Sequence, residues 1–364
     1  MSTTHLAAVL HAAQTLRLEQ IKPPPLPANY VRIAPRATGL CGTDLHYYES
    51  GRNGIFSLTS PLILGHEAAG EILAVGADVT TLKPGDRVVI EPQRPCGACV
   101  RCRGGTYNLC PGMKFTGSAS AVPPIQGTLQ EVYQHAEGFV FKIPERVPYT
   151  EAALIEPLAV AVHAARRAGV QAGQQVLVIG AGAVGLLCAM VARVSGARRV
   201  GIVDVQEGRL EFALKQGYAD YVVKTPVSGE EGEAKGEFAE RAAREIVGGH
   251  EMFEPVDVCF ECTGVEVCVN VGIYCAAPRG KVVLVGMGAP HQALNVGVTA
   301  VREVDLVSIW RYANTFETAI ELVASGKLRL GPLVTHTFPL QQAGEALELV
   351  RARPKDLIKC VVTA

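Results

Sequence analysis

The run Gly180-Ala-Gly182-Ala183-Val184-Gly185 constrains the fold of this chain more than any other feature. It follows Gln175 to Ile179, an apolar stretch of strand length, and opens the helix-like pattern Ala183 to Val194. Arg199 to Val203 is again strand-like and ends in Asp204. Three spaced glycines alone would say little, but strand, glycine turn, helix and a second strand closed by an acid make the full context of a dinucleotide site. Gly180 permits the tight turn, Gly182 admits the backbone to a pyrophosphate, and Gly185 lets the helix lie close to the sheet. The helix start at Ala183 and Val184 offers unpaired N–H groups and a positive dipole end to the phosphates. Asp204 is placed to accept both hydroxyls of an adenosine ribose and to repel a 2'-phosphate, which predicts NAD over NADP. The competing reading makes Asp204 a cap for the next helix. Arg209 could hold a 2'-phosphate, pack over the adenine or sit in solvent.

The same alternation continues through Glu207 to Gln216 (helical), Tyr221 to Val223, Val256 to Phe260, Lys281 to Val285 and Val304 to Ile309 (strand-like). Buried runs alternating with helical periods predict a parallel sheet with crossover helices. Val227 to Gly249, rich in Gly, Glu and Lys, reads as a solvated surface helix and loop without chemistry. The first 150 residues differ: short β-like runs (Val31 to Ala34, Gly70 to Val75, Arg87 to Ile90, Gly138 to Ile143) are punctuated by Gly and Pro. The expected fold class is therefore α/β, a mostly β domain plus a doubly wound parallel-sheet domain. The closing segment, with a helix at Thr315 to Ala324, is expected to return to the first domain.

A chain of 364 residues suits about two domains of ~150 residues. With 34 basic against 35 acidic residues the net charge is -1, so no general attraction to nucleic acid or an anionic membrane is expected and a small neutral partner fits better. Met1 to Gln20 lacks a basic stretch followed by a long apolar one, which predicts a cytoplasmic protein. The uncharged run Val176 to Ala192 contains three glycines and sits at the bottom of the ~17 to 25 residue range of a membrane span, so a buried strand turning into a buried helix accounts for it better.

Eleven cysteines, an odd number without an export signal, point to metal or chemistry rather than a disulfide framework. Cys96, Cys99, Cys102 and Cys110 crowd one Gly-rich loop and predict a closed tetrahedral zinc site with a structural role. An iron–sulfur cluster fits the ligand type, but no second cluster is visible. A nucleic-acid-binding zinc knuckle would use Arg94, Arg101, Arg103 and Lys114, against a chain that is not basic overall. Cys188, Cys259, Cys262, Cys268, Cys275 and Cys360 read as small packing residues. A second concentration of ligand types, Gly39-Leu-Cys41-Gly-Thr43-Asp44-Leu-His46-Tyr47 with Gly65-His66-Glu67, offers a thiolate, an imidazole and a carboxylate. Three protein ligands leave a fourth position of zinc open, and such a zinc is a Lewis acid able to ease deprotonation of an alcohol. Singly, each of these residues is more often structural.

These motifs, with LKPGDRV, ALIEPLAVAVHA, FECTG and REVDLVSIWRYANT, resemble the medium-chain zinc alcohol dehydrogenase superfamily over nearly the whole chain, and within it the sorbitol, L-arabinitol and xylitol dehydrogenase group. The resemblance implies a GroES-like catalytic domain over 1–157, a Rossmann domain over 158–299 and a return segment over 300–364. It implies two zinc ions per chain, one held by Cys41, His66 and Glu67 and one by the four-cysteine lobe, with NAD as cofactor and a tetramer or dimer as assembly. Glu156 stands where simple alcohol dehydrogenases place a cysteine ligand, which favours the polyol branch and leaves open which of Glu67 and Glu156 is nearer the metal. Thr43 is similar to the hydroxyl that bonds the substrate oxygen and relays its proton to His46. Arg311 and Tyr312 resemble substrate contacts, with Tyr47 and Phe56 in the same cleft. The expected activity is oxidation of a secondary hydroxyl of a sugar alcohol to a ketose; the alternative within enzymes is a vicinal-diol or secondary-alcohol dehydrogenase. A non-catalytic protein reusing the fold would have lost Cys41, His66 or Glu67.

Overall fold

Tyr30–Gly39 is buried along most of its length, and strands lie against it on both sides. The computed structural model describes residues 4–248 and 254–364. Met1–Thr3 of the N-terminal stretch, and Gly249 at the end of the expected surface segment, lie outside the described residues. The chain forms two units, Met1–Glu156 with Ala313–Ala364, and Pro157–Tyr312.

In the first unit a seven-stranded sheet runs in the order Val140–Lys142, Arg87–Ile90, Glu67–Val75, Tyr30–Gly39, Lys359–Thr363 and Val334–Pro339, with Tyr133–Ala136 also paired to Tyr30–Gly39. Val31, Ile33, Ile72, Val88, Ile90 and Val140 pack on one side as a single cluster. A second cluster joins Leu10, Tyr47, Leu62, Leu64, Leu347 and Val362. Each such aliphatic side chain contributes about 1.5–3 kcal/mol by leaving water. The last strand, Lys359–Thr363, pairs antiparallel with the end of Tyr30–Gly39, Val361 opposite Gly39. Across the other edge of that strand, Gly39 lies opposite Glu67. Three segments distant in sequence thus meet at one end of the sheet.

The second unit is a six-stranded sheet, every pairing parallel, in the order Tyr221–Lys224, Arg199–Asp204, Gln175–Ile179, Val256–Glu261, Ala276–Leu284, Asp305–Ser308. All five residues of Gln175–Ile179 are buried, as a central parallel strand requires. Strand order reverses beside this strand, the place where open α/β sheets bind ligands. Because Asp305–Ser308 pairs with Ala276–Leu284, the return segment starts at Ala313 rather than at 300.

One helix departs from expectation. Lys235–Gly248 is amphipathic, not merely solvated: Phe238, Ala239, Ala242, Ala243 and Ile246 recur on one face and pack with Leu177, Val256 and Val282. Its charged residues dominate the composition, but its spacing is that of a core-facing helix.

Close packing at the glycine turn is severe. A Cβ at Gly185 would stand 1.8 Å from the carbonyl oxygen of Gly180. Gly185→Ala is expected to cost about 1–3 kcal/mol through overpacking, read as a lowered melting temperature; an unchanged melting temperature would contradict this packing.

Candidate active site

The loop before helix Gly42–Ser50 presents Cys41, and a turn at Gly65 presents His66 and Glu67. Gly65 has φ +91, a conformation that favours glycine, and a Cβ there would also strike the Thr38 side chain at 2.7 Å. Asp44 ties the two loops together. Its Oδ2 accepts the Cys41 N–H at 2.9 Å and its Oδ1 accepts the Gly65 N–H at 2.8 Å. Oδ1 also lies 3.6 Å from His66 Nδ1. Burial opposes ionisation of Asp44, yet the His66 charge and these hydrogen bonds hold its carboxyl below the usual range. At 3.6 Å the carboxylate acts on the His66 imidazole through its charge rather than through a hydrogen bond.

The ligand atoms of Cys41, His66 and Glu67 all lie within 4.8 Å of one another. His66 and Glu67 are buried while Cys41 is half-buried, so the set opens on one side. Glu67 is almost fully buried at this end of the sheet, where its carboxylate faces the Lys359 ammonium. Glu156, at the start of helix Ile155–Ala168, is buried and electrostatically coupled to this end of the sheet, but it lies outside the three-ligand cluster. Of the two glutamates left open by the sequence, Glu67 is the one whose carboxylate clusters with the Cys41 and His66 ligand atoms.

Cys96, Cys99, Cys102 and Cys110 form the second ligand group among the described residues. Their sulfurs are 3.5 Å (Cys99–Cys102), 3.9 Å (Cys96–Cys102) and 3.9 Å (Cys99–Cys110) apart. Tetrahedral zinc with bonds of ~2.3 Å asks for edges of about 3.8 Å, so the cage already has the size of the ion. Backbone N–H groups of Ala98 and Cys99 pull the Cys96 thiol down to about 6. Cys102 is pushed up to about 12 by burial and by its sulfur neighbours, a crowding that a bound cation relieves.

At the glycine turn Gly180 takes φ +101, and a Cβ at Gly182 would meet nothing within 4 Å, leaving open the face that a phosphate would approach. Ala183 and Val184 begin the helix and are half-buried. Asp204 Oδ2 accepts the Ala181 N–H at 2.6 Å and Oδ1 accepts the Gln206 N–H at 2.7 Å. The acid thus braces the glycine loop and the start of helix Glu207–Lys215, which carries half-buried Arg209. Each carboxylate oxygen keeps a further lone pair for a ribose hydroxyl.

Residues 27–145 match the alcohol dehydrogenase GroES-like domain, and residues 183–325 match the zinc-binding dehydrogenase domain. Sorbitol dehydrogenase of Gallus gallus is 40% identical over 359 residues, covering 98% of this chain and 96% of that protein. The Homo sapiens sorbitol dehydrogenase is 40% identical over 358 residues with the same coverage. Among solved structures, L-idonate 5-dehydrogenase from Escherichia coli has a TM-score of 0.87 at 27% identity, covering 100% of this chain and 99% of that one. The chain belongs to the medium-chain zinc-dependent dehydrogenases, in the sorbitol dehydrogenase group. It is thus an oxidoreductase of the alcohol and polyol dehydrogenase kind.

Three residues of this dehydrogenase escaped the sequence reading. Asp44, three places after Cys41, gave only a cap-like spacing. Lys359 gave a lone charge in an apolar terminal run, and Glu261 an acid at the end of a buried strand. Lys359 Nζ donates to Glu67 Oε1 at 2.7 Å and lies 2.5 Å from Oε2, with both side chains almost fully buried. Burial disfavours its charge, but Glu67, Cys41 and Glu156 together keep the ammonium protonated. Gly39 makes the room: a Cβ there would stand 2.3 Å from Glu67 Oε2 and 3.1 Å from Lys359 Cε. Glu261 Oε1 accepts the Thr263 N–H at 2.8 Å, and the Thr263 methyl covers Gly180.

The other expected site residues separate by exposure. Thr43 is half-buried with Oγ1 accepting from Asn53 Nδ2 at 3.4 Å, and His46, one helical turn on, is exposed. Tyr47 is fully buried, its hydroxyl bonded to Ser118 Oγ and to the Ala119 N–H. Phe56 and Arg311 are half-buried and Tyr312 is fully buried. Cys188, Cys259, Cys275 and Cys360 are buried, while Cys262 and Cys268 are partly exposed.

Lys359→Met would leave a buried Glu67 carboxylate without its cation, a loss of about 3–5 kcal/mol. Zinc supplies an alternative counter-charge, so the loss measured by denaturant unfolding should be large in metal-stripped protein and smaller in zinc-loaded protein. Equal losses in both would show that Lys359 and the metal do not share Glu67.

Proposed function

We propose that this enzyme oxidises a secondary hydroxyl of a small sugar alcohol, of the sorbitol, xylitol or L-arabinitol type, to the corresponding ketose. The carbinol carbon gives hydride to NAD and the hydroxyl gives a proton, so that polyol and NAD⁺ yield ketose, NADH and H⁺. The observation that carries this reading is the half-open cluster of Cys41, His66 and Glu67, whose ligand atoms lie within 4.8 Å of one another.

Zinc held by Cys41, His66 and Glu67 would supply the Lewis acidity that lets a carbinol hydroxyl ionise near neutral pH. The protein residues do the rest. Asp44 orients His66, and Lys359 fixes Glu67 while balancing the negative charge of the ligand set. Thr43 Oγ1 accepts the substrate proton and passes on its own, since a hydroxyl donates and accepts at once. His46, three residues further on the same helix and exposed, exchanges that proton with solvent. Glu156 contacts the substrate or the water beside the metal. The four-cysteine lobe holds the second zinc, which has a structural role.

Asp204 receives the adenosine ribose and the Gly180–Gly185 turn receives the pyrophosphate, with Arg209 beside the adenine. Arg311 recognises the further hydroxyls of the polyol, and Tyr312, fully buried next to it in the chain, supports that position from within. With its hydroxyl engaged by Ser118 and Ala119, Tyr47 shapes the backing of the pocket, and Phe56 supplies an apolar contact. By likeness to the sorbitol dehydrogenase group the assembly is a homotetramer or dimer in the cytoplasm.

NADH formation across pentitols, hexitols, diols and simple alcohols tests the substrate class. A polyol should give the highest kcat/KM, with NAD strongly preferred over NADP; simple alcohols turned over best, or NADP preferred, would overturn the respective assignment. Arg311→Ala should raise the polyol KM about 10- to 100-fold, the worth of a charge-assisted hydrogen bond, and leave the KM for NAD unchanged. An unchanged polyol KM would remove Arg311 from the site.

A further inference from the structure

Beyond closing its own loop, the four-cysteine lobe holds a segment of the chain more than two hundred residues away. Tyr107 belongs to the short helical turn Tyr107–Leu109, between Cys102 and Cys110. Its hydroxyl accepts the backbone N–H of Asn314 at 2.9 Å and donates to Glu91 Oε1 at 2.9 Å. Asn314 Nδ2 donates in turn to the Gly105 carbonyl at 2.7 Å, on the same lobe. Asn314 is therefore gripped through both its backbone and its side chain by residues lying between two cage cysteines.

The gripped position is conformationally demanding. Asn314 has φ 55 and Arg311 has φ 52, two left-handed residues within one short segment. Such residues persist where the surroundings over-determine them. Asn tolerates this region better than most residues, whereas arginine has no such ease. Tyr107 is itself firmly seated, its ring edge-on to Phe139 at 5.9 Å between centroids. Burial and the nearby charge of Glu91 push its phenol up, so it keeps the proton it donates. Glu91 is buried, accepts a second hydrogen bond from Gln93 Nε2 at 3.0 Å, and feels the charge of Glu156. The hydrogen-bond line thus runs from the buried Glu91 carboxyl through Tyr107 to Asn314.

We propose that the cysteine lobe is an anchor for substrate recognition, with Tyr107 as the positioning residue that fixes Asn314 and thereby the left-handed turn presenting Arg311. The proposal rests on the assignment of Arg311 to polyol binding. It gives the cage metal a task beyond local folding: a lobe that loses its metal releases Asn314, and the recognition turn loosens with it.

Trp310, the only tryptophan of the chain, adjoins this turn, with the Arg311 guanidinium 5.0 Å from its ring centroid. Its fluorescence reports on the segment without any substrate. In the zinc-loaded enzyme, Tyr107→Phe should raise the polyol KM about fivefold, within the worth of one lost hydrogen bond, with kcat and the KM for NAD within about twofold of wild type. Acrylamide quenching of Trp310 should rise, and both zinc ions should remain bound. Asn314→Gly keeps the left-handed backbone and removes only the bond to Gly105, so it should reproduce the quenching change with a smaller rise in KM, and it decides the matter alone if Tyr107→Phe does not fold. Quenching unchanged in the folded variants would overturn the tether. Increased quenching with an unchanged polyol KM would keep the tether and remove Arg311 from the substrate site.

Discussion

An ammonium and a carboxylate buried side by side, Lys359 and Glu67, sit where the two ends of the first unit close on each other. Burying either charge alone would be costly, and together they are tolerated because the hydrogen bond at 2.7 Å is direct. The pair exists only when the strand Lys359–Thr363 is seated against Tyr30–Gly39, with Glu67–Val75 on the other side. Completion of the sheet and neutralisation of the Glu67 carboxylate are thus the same event.

This coupling explains the distribution of small residues around the site. Gly39 leaves space for the Glu67 carboxylate, and Gly65 adopts a backbone that aims His66 and Glu67 inward. Asp44 then locks the two loops by accepting one N–H from each. Cys41 contributes a potential thiolate from a half-buried position, so the set has a wet side and a dry side. A Lewis acid held there is open to a hydroxyl compound and shielded elsewhere, as a catalytic rather than a structural zinc requires. The cysteine cage is the opposite case, four like donors at tetrahedral spacing with no position left over.

Legibility in the sequence followed the range of the interactions. The glycine turn and the cage were readable because their parts lie within one loop, and backbone geometry or coordination dictates their spacing. Cys41 comes from the loop before a helix, and His66 and Glu67 from the turn that enters a strand some twenty-five residues on, so spacing alone left them ambiguous and resemblance to a family was needed. Lys359 was not legible at all: its partner lies across two strand pairings and almost the full length of the chain. Helix Lys235–Gly248 was misjudged because its abundant charges drew attention from the spacing of Phe238, Ala242 and Ile246. Val304 to Ile309 was legible as a strand, but a strand-like run does not say which sheet it joins, and only the pairing of Asp305–Ser308 with Ala276–Leu284 assigns it to the second unit.

The central claim is that Cys41, His66 and Glu67 hold a metal on which oxidation depends, independently of the cysteine cage. Metal stoichiometry and NADH formation measured together on Cys41→Ser test it most directly. The account predicts two zinc ions per chain in the parent enzyme, one in the variant, and turnover lost while the fold and NAD binding persist. Two ions retained with turnover intact, or a parent protein whose only metal sits in the cage, would contradict it.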